Sequence, residues 1–181
     1  TFTRTDCQQK AGTITHTAGK TGSGVLLYSL GIKPNGNGTR FNMYGGSITG
    51  NTAKYGGGVN IEGARGEGGI FNLYGGIISG NTANDAGGGV GTSGRYSAFT
   101  MYDGKITNNT AGTNGGGVSA GNANLIMNGG SITENTAATG GGVSVGSHGS
   151  TDFTMNGGEI KNNMASTNGG GVYMVGKLRS C

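Results

Sequence analysis

Hydrophobic residues in this chain come in short pairs, two positions apart, and the pairs recur. Phe41/Met43, Phe71/Leu73, Phe99/Met101, Leu125/Met127 and Phe153/Met155 form one series. Alternate residues of a strand face the same side, so each pair predicts a short strand with one apolar face. Seven residues after the first member of each pair stands an isoleucine: Ile48, Ile78, Ile106, Ile132 and Ile160. Eleven or twelve residues further on stands a valine: Val59, Val90, Val118, Val143 and Val172. A degenerate copy opens the chain, with Cys7 and Gln9 in place of the pair, then Ile14 and Val25. The distance from each valine to the next pair varies from seven to sixteen residues.

Repeats of this length, with fixed spacing inside and variable spacing at one point, predict a solenoid whose insertions decorate a single corner. Each apolar patch is two to four residues long and glycine pairs follow, which suits short strands joined by tight corners. The predicted architecture is all-β: a right-handed parallel β-helix of about six coils without a helical cap. It fills one domain, residues 1–181, with coils starting near residues 7, 41, 71, 99, 125 and 153. Stacked at the interstrand spacing, such coils make a rod roughly 30 Å long.

Polar positions repeat as strictly as apolar ones. Asn51, Asn81, Asn109, Asn135 and Asn163 share one column, with His16 in the first coil. Stacked asparagines can pass amide hydrogen bonds along an axis and satisfy turn backbone. A threonine column (Thr17, Thr52, Thr82, Thr110, Thr136) follows, broken by Met164, and then an alanine column from Ala18 through Ala53, Ala83, Ala111 and Ala137 to Ala165. Small residues there predict a tight inside corner.

Composition fits this picture. Glycine supplies 44 of 181 residues without a period of three, so collagen is excluded, and 32% hydrophobic residues suffice where each coil buries its side chains on the next. The net charge is +4 with no run of Lys or Arg, which argues against a nucleic-acid partner. No apolar stretch is long enough for a membrane span, and none of the chain is expected to insert in a bilayer. The chain starts at Thr1 with no signal-like segment, so it reads as a mature chain or an excised fragment.

The motif GG-x-I-x-x-N-T-A…GGGV resembles the repeats of bacterial surface and secreted β-helix proteins. In style it is similar to the GG-x-I repeats of polymorphic outer-membrane proteins and autotransporter passenger domains. The resemblance covers about residues 7–175 and implies the fold and a place at the cell surface or outside it.

Candidate chemistry is sparse. The eight carboxylates, Asp6, Glu62, Glu67, Asp85, Asp103, Glu134, Asp152 and Glu159, fall in different columns; Asp103 with Lys105, Glu134 and Glu159 is the nearest approach to a cluster. General acid–base work needs two such groups close together, so no catalytic residue, metal or cofactor is expected and the chain is read as a non-enzyme. His16 and His148 lie far apart, and the glycines read as corners rather than a phosphate cradle. Tyr44, Tyr74 and Tyr102 share an outward-facing column on three coils. They either stabilise the ladder by stacking or form a contact strip for glycans or a neighbouring protein. Asn37-Gly38-Thr39 and Asn108-Asn109-Thr110 are glycosylation sequons.

Two cysteines complete the inventory. Cys7 occupies the aromatic position of the first coil, and Cys181 lies where a seventh coil would place its own. Within one rod they are too distant to pair; between rods stacked head to tail they come within disulfide range. Terminal cysteines suit an oxidising, extracellular setting. The expected function is a structural subunit of a surface fibre or filament, stacking head to tail on copies of itself, with Cys7 and Cys181 as candidates for a disulfide between subunits or, in a fragment, as two unpaired thiols. The alternative is an adhesin or glycan-binding passenger region that meets glycans or a host surface through the tyrosine column. A polysaccharide-active enzyme ranks last.

Overall fold

The computed structural model describes residues 6–16, 21–29, 39–63, 68–94, 96–121, 123–146 and 151–175. They form a parallel β-solenoid with four sheets, and no helix occurs among them. Successive strands of the chain pass from one sheet to the next, so strands adjacent within a sheet come from successive coils. Among the described residues five coils, from Arg40 onward, place a strand in every sheet, fewer than the six coils expected; the opening repeat places strands in three sheets, and Thr17 and Ala18 of its threonine and alanine columns lie outside the described residues.

Each predicted column becomes a register. In the first sheet Cys7, Phe41, Phe71, Phe99, Leu125 and Phe153 pair in order. Rings of Phe41, Phe71 and Phe99 stack at 5.3 and 5.0 Å between centroids. In the second sheet Ile14, Ile48, Ile78, Ile106, Ile132 and Ile160 pair. The third carries Ala53, Ala83 and Ala111 side by side, with Ala137 on Ala165. The fourth aligns Val25, Val59, Val90, Val118, Val143 and Val172. Phenylalanine, methionine, leucine, isoleucine and valine side chains meet in one continuous axial core, and Ala83, Ala111 and Ala137 fill a smaller one under their corner. Burying one such large side chain contributes roughly 1.5–3 kcal/mol, and here the neighbouring coil does most of the burying.

The glycines set the corners. The second glycine of each GG-x-I takes positive φ, as Gly46 (79°), Gly76 (96°), Gly104 (100°), Gly130 (80°) and Gly158 (85°) do. Only glycine adopts this region at no steric cost. The last glycine of GGGV serves a different need. A Cβ at Gly58 would stand 2.6 Å from the Gly89 carbonyl and 3.0 Å from Asn81 Nδ2. That glycine leaves room for the asparagine of the coil above. The variable corner, between the valine strand and the next aromatic strand, contains residues 30–38, 64–67, 95, 122 and 147–150, which lie outside the described residues together with Cys181, His148, Glu67 and Asn37.

Candidate functional site

The asparagine column lies inside. Asn51, Asn81, Asn109 and Asn135 are fully buried. Asn81 shows the repeating pattern: its N–H and its Nδ2 both donate to Asn109 Oδ1 at 3.0 Å, and its Nδ2 also donates to the Ile48 carbonyl at 2.9 Å. Asn109 repeats this toward Asn135 and the Ile78 carbonyl, and Asn135 toward Asn163 and the Ile106 carbonyl. Each amide therefore closes the corner of the coil before it and holds the coil after it. This is a structural ladder, as the sequence pattern predicts. It also has polarity: in Asn81, Asn109 and Asn135 the side-chain oxygen accepts from the coil before, and Nδ2 donates both to the next asparagine and to the isoleucine carbonyl of the coil before. At its start His16 replaces the amide and its Nε2 accepts the Thr52 N–H at 3.1 Å. Asn51 Oδ1, which a preceding amide would have met, has no partner among the described residues.

The tyrosine column lies outside, as alternation predicts. Tyr44, Tyr74 and Tyr102 are 46%, 38% and 44% exposed. Their rings are nearly parallel, 6° apart in plane, with centroids 4.7 and 4.6 Å apart. Neighbouring faces are thus covered by one another, and each ring stays partly exposed. A sugar stacks on an aromatic face, so the arrangement favours the ladder role over a platform for rings. Burial between its neighbours raises the Tyr74 hydroxyl above its ordinary pKa; the phenols of Tyr102 and Tyr44 and a hydrogen bond with Tyr102 act the same way. Asn128 and Asn156 continue the column, joined by a 2.8 Å amide bond, so the aromatic part is confined to three coils.

The isoleucine sheet presents its outer face as a polar groove. Asp103, Lys105, Ser131 and Glu159 line a hollow of about 460 Å³ beside Ile77. A second hollow of about 370 Å³ adjoins it, lined by Lys105, Thr107, Glu134, Glu159 and Lys161 among others. The coil stacking brings together the four charged residues that are only loosely grouped in sequence. Glu159 pairs with Lys161 at 2.9 Å, and Glu134 accepts from Asn108 Nδ2 at 3.1 Å. The groove is open to water, and these two carboxylates are engaged by cations and amides of its own wall. Among the described residues, no three His, Cys, Asp or Glu side chains gather as metal ligands. No helix there is long and apolar enough to cross a membrane.

A column that sequence reading misses borders this groove. Gly50, Gly80, Asn108, Glu134 and Asn162 occupy one position, all with φ between 55° and 68°. Its signal is the mixed residue set before each ladder asparagine, where glycine, asparagine and glutamate alternate. Asn42 and Asn72 form a second unforeseen pair, buried and joined at 2.8 Å.

The two ends differ. In the closing coil Met155, Val172 and Met174 are 44%, 36% and 54% exposed, although their columns are sealed in the coils between Arg40 and Val145. In the opening coil Gln9 is buried and its Nε2 donates to the Gly12 carbonyl at 3.3 Å, while Cys7 is exposed with a free thiol. Cys181 lies outside the described residues, so the predicted pairing rests on the sequence alone.

These features define the class: a parallel β-solenoid held by an internal asparagine ladder. Comparison with protein-family models, with curated proteins and with solved structures returns no match.

Proposed function

We propose that this chain is a non-enzymatic structural subunit of an extracellular or cell-surface fibre, of the kind bacterial surface and secreted β-helix proteins form, and that it assembles by stacking coil on coil with copies of itself. One observation carries the reading: like residues stack on like from coil to coil, and among the described residues Met155, Val172 and Met174 of the closing coil stay exposed. Its edge strands also offer unpaired backbone groups, a template for another strand. A following copy supplies residues of matching type in three columns, with Ile14 over Ile160, Val25 over Val172 and Leu27 over Met174. The match is poorer where Cys7 meets Phe153 and Gln9 meets Met155; the candidate Cys7–Cys181 link, whose second partner lies outside the described residues, would add a covalent tie in an oxidising setting. The contact is heterologous, so it propagates instead of closing.

The test is sedimentation and electron microscopy of the protein over a concentration series, beside Met174→Asp. Rods that lengthen with concentration, and a variant that stays monomeric with unchanged far-ultraviolet circular dichroism, are expected. Monomer at every concentration overturns the reading. A non-reducing gel with only single chains removes the covalent link alone.

A further inference from the structure

Three phenols in one exposed stack are a reactive arrangement as well as a stabilising one. Tyr44, Tyr74 and Tyr102 hold their rings parallel at 4.7 and 4.6 Å, with each ring partly exposed. The ring carbons beside the hydroxyls therefore lie over their counterparts on the next coil, within reach of an oxidant arriving from water. Tyr28 and Tyr96 are also exposed, yet among the described residues neither has a second ring against it. We propose that this column is a site of oxidative tyrosine coupling, in which Tyr74 joins Tyr44 or Tyr102 as dityrosine and staples two neighbouring coils covalently.

The step balances with a peroxide as oxidant and a haem peroxidase to deliver it. Each phenol gives up its O–H hydrogen as one proton and one electron. The two tyrosyl radicals then form one carbon–carbon bond between ring positions adjacent to the oxygens. The displaced ring hydrogens move to the oxygens and restore both phenols. One hydrogen peroxide takes up the two protons and two electrons and leaves as two waters. Rings already in contact react at an effective concentration of about millimolar or higher, far above a micromolar solution of chains, so coupling within a chain outruns coupling between chains. The proposal stands apart from axial stacking, since both rings belong to one subunit.

The experiment treats the whole protein, at micromolar concentration, with peroxidase and hydrogen peroxide. Expected are the blue dityrosine fluorescence, a monomer lighter by two hydrogen atoms, and a linked peptide pair containing Tyr74 with Tyr44 or Tyr102. Tyr74→Phe leaves Tyr44 and Tyr102 two coils apart, and the monomer signal falls about tenfold or more. Tyr96→Phe leaves it unchanged. Peptide mapping on the unaltered chain decides the matter if Tyr74→Phe folds poorly. Links that join separate chains, links through Tyr28 or Tyr96, or a monomer of unchanged mass overturn the proposal.

Discussion

The coil at 125–145 and the coil at 153–174 carry nearly one motif in two surroundings. Met127 is sealed and Met155 is 44% exposed; Val143 is sealed and Val172 is not; Val145 is sealed and Met174 faces solvent. Both coils make the same corners, with Gly130 and Gly158 in the same conformation. Among the described residues, the difference is that a further coil follows the first and none follows the second. Stability in this molecule thus belongs to interfaces between repeats more than to the repeats themselves, as nearest-neighbour models of solenoids hold. The opening coil shows a different solution. Its columns change chemistry, with Gln9 turned onto backbone carbonyls and His16 accepting a backbone N–H.

The asparagine ladder gives the hardest test of that comparison. Asn135→Ala strands the Asn109 N–H and the Ile106 carbonyl in a dry interior, and we expect a loss of about 4 kcal/mol in urea unfolding. Asn163→Ala removes the same kinds of bond where water reaches, and about 2 kcal/mol is expected. Asn51→Ala removes an oxygen that accepts nothing among the described residues and the Nδ2 bonds to the half-buried Ile14 and Thr49 carbonyls, while Asn81 Oδ1 keeps the Asn51 N–H, and about 1 kcal/mol is expected. Equal losses at all three positions would mean that the ladder has no direction.

Packing gives a smaller contrast. Met127→Ala opens a cavity between two coils and should cost about 3 kcal/mol. Met155→Ala removes a side chain that is 44% exposed, with no coil above it among the described residues, and should cost under about 1 kcal/mol in the monomer. In an assembled rod the two values should converge, so measuring Met155→Ala at low and high protein concentration sharpens the comparison into a test of stacking.

The isoleucine, valine and asparagine columns are legible in the sequence because a parallel stack puts like on like, and identical residues at fixed spacing are its direct trace. Tyr44, Tyr74 and Tyr102 are legible as outward-facing for the same reason. The column of Gly50, Gly80, Asn108, Glu134 and Asn162 is not, because what it shares is a backbone conformation and not a side chain. The groove is half legible: Asp103 and Glu159 occupy different columns, and only the stacking of coils sets them around one hollow. The opening coil departs from the motif at Cys7 and Gln9, and only its Ile14 and Val25 keep it readable as a repeat. Function is the least legible, since this architecture carries many activities and the site, not the fold, specifies one.

Alkali should separate the two halves of the rod. The Tyr74 hydroxyl has a folded-state pKa raised above its unfolded value of about 10, so the folded chain holds its proton longer. The associated stability is complete below that unfolded value and is lost as pH rises through the folded one. Unfolding free energy should therefore fall above about pH 10 in the native chain, and fall less in Tyr74→Phe. Hydrogen exchange should show the coils of Tyr44, Tyr74 and Tyr102 loosening before those of Asn128 and Asn156. Uniform loosening would argue against coupling between the stacked phenols.

The smallest expected effect concerns Glu134. It holds φ at 57° where the coils at Gly50 and Gly80 use glycine. A side chain has room there: a Cβ on Gly80 would meet nothing closer than Thr49 Oγ1 at 3.7 Å. Any cost is therefore in the backbone, about 1–2 kcal/mol for a left-handed residue with a Cβ. Glycine recovers that strain but loses about 0.5–1 kcal/mol to the freer unfolded chain, and it gives up the exposed hydrogen bond from Asn108. The terms nearly cancel, leaving Glu134→Gly stabilised by about 0.5 kcal/mol. Gly80→Glu should be destabilised by a similar amount. Measured together by urea unfolding, the two substitutions separate backbone strain from side-chain contact. If Glu134→Gly loses stability instead, the bond to Asn108 and the contacts along the groove outweigh the strain, and the groove wall gains weight as a feature maintained for its side chains.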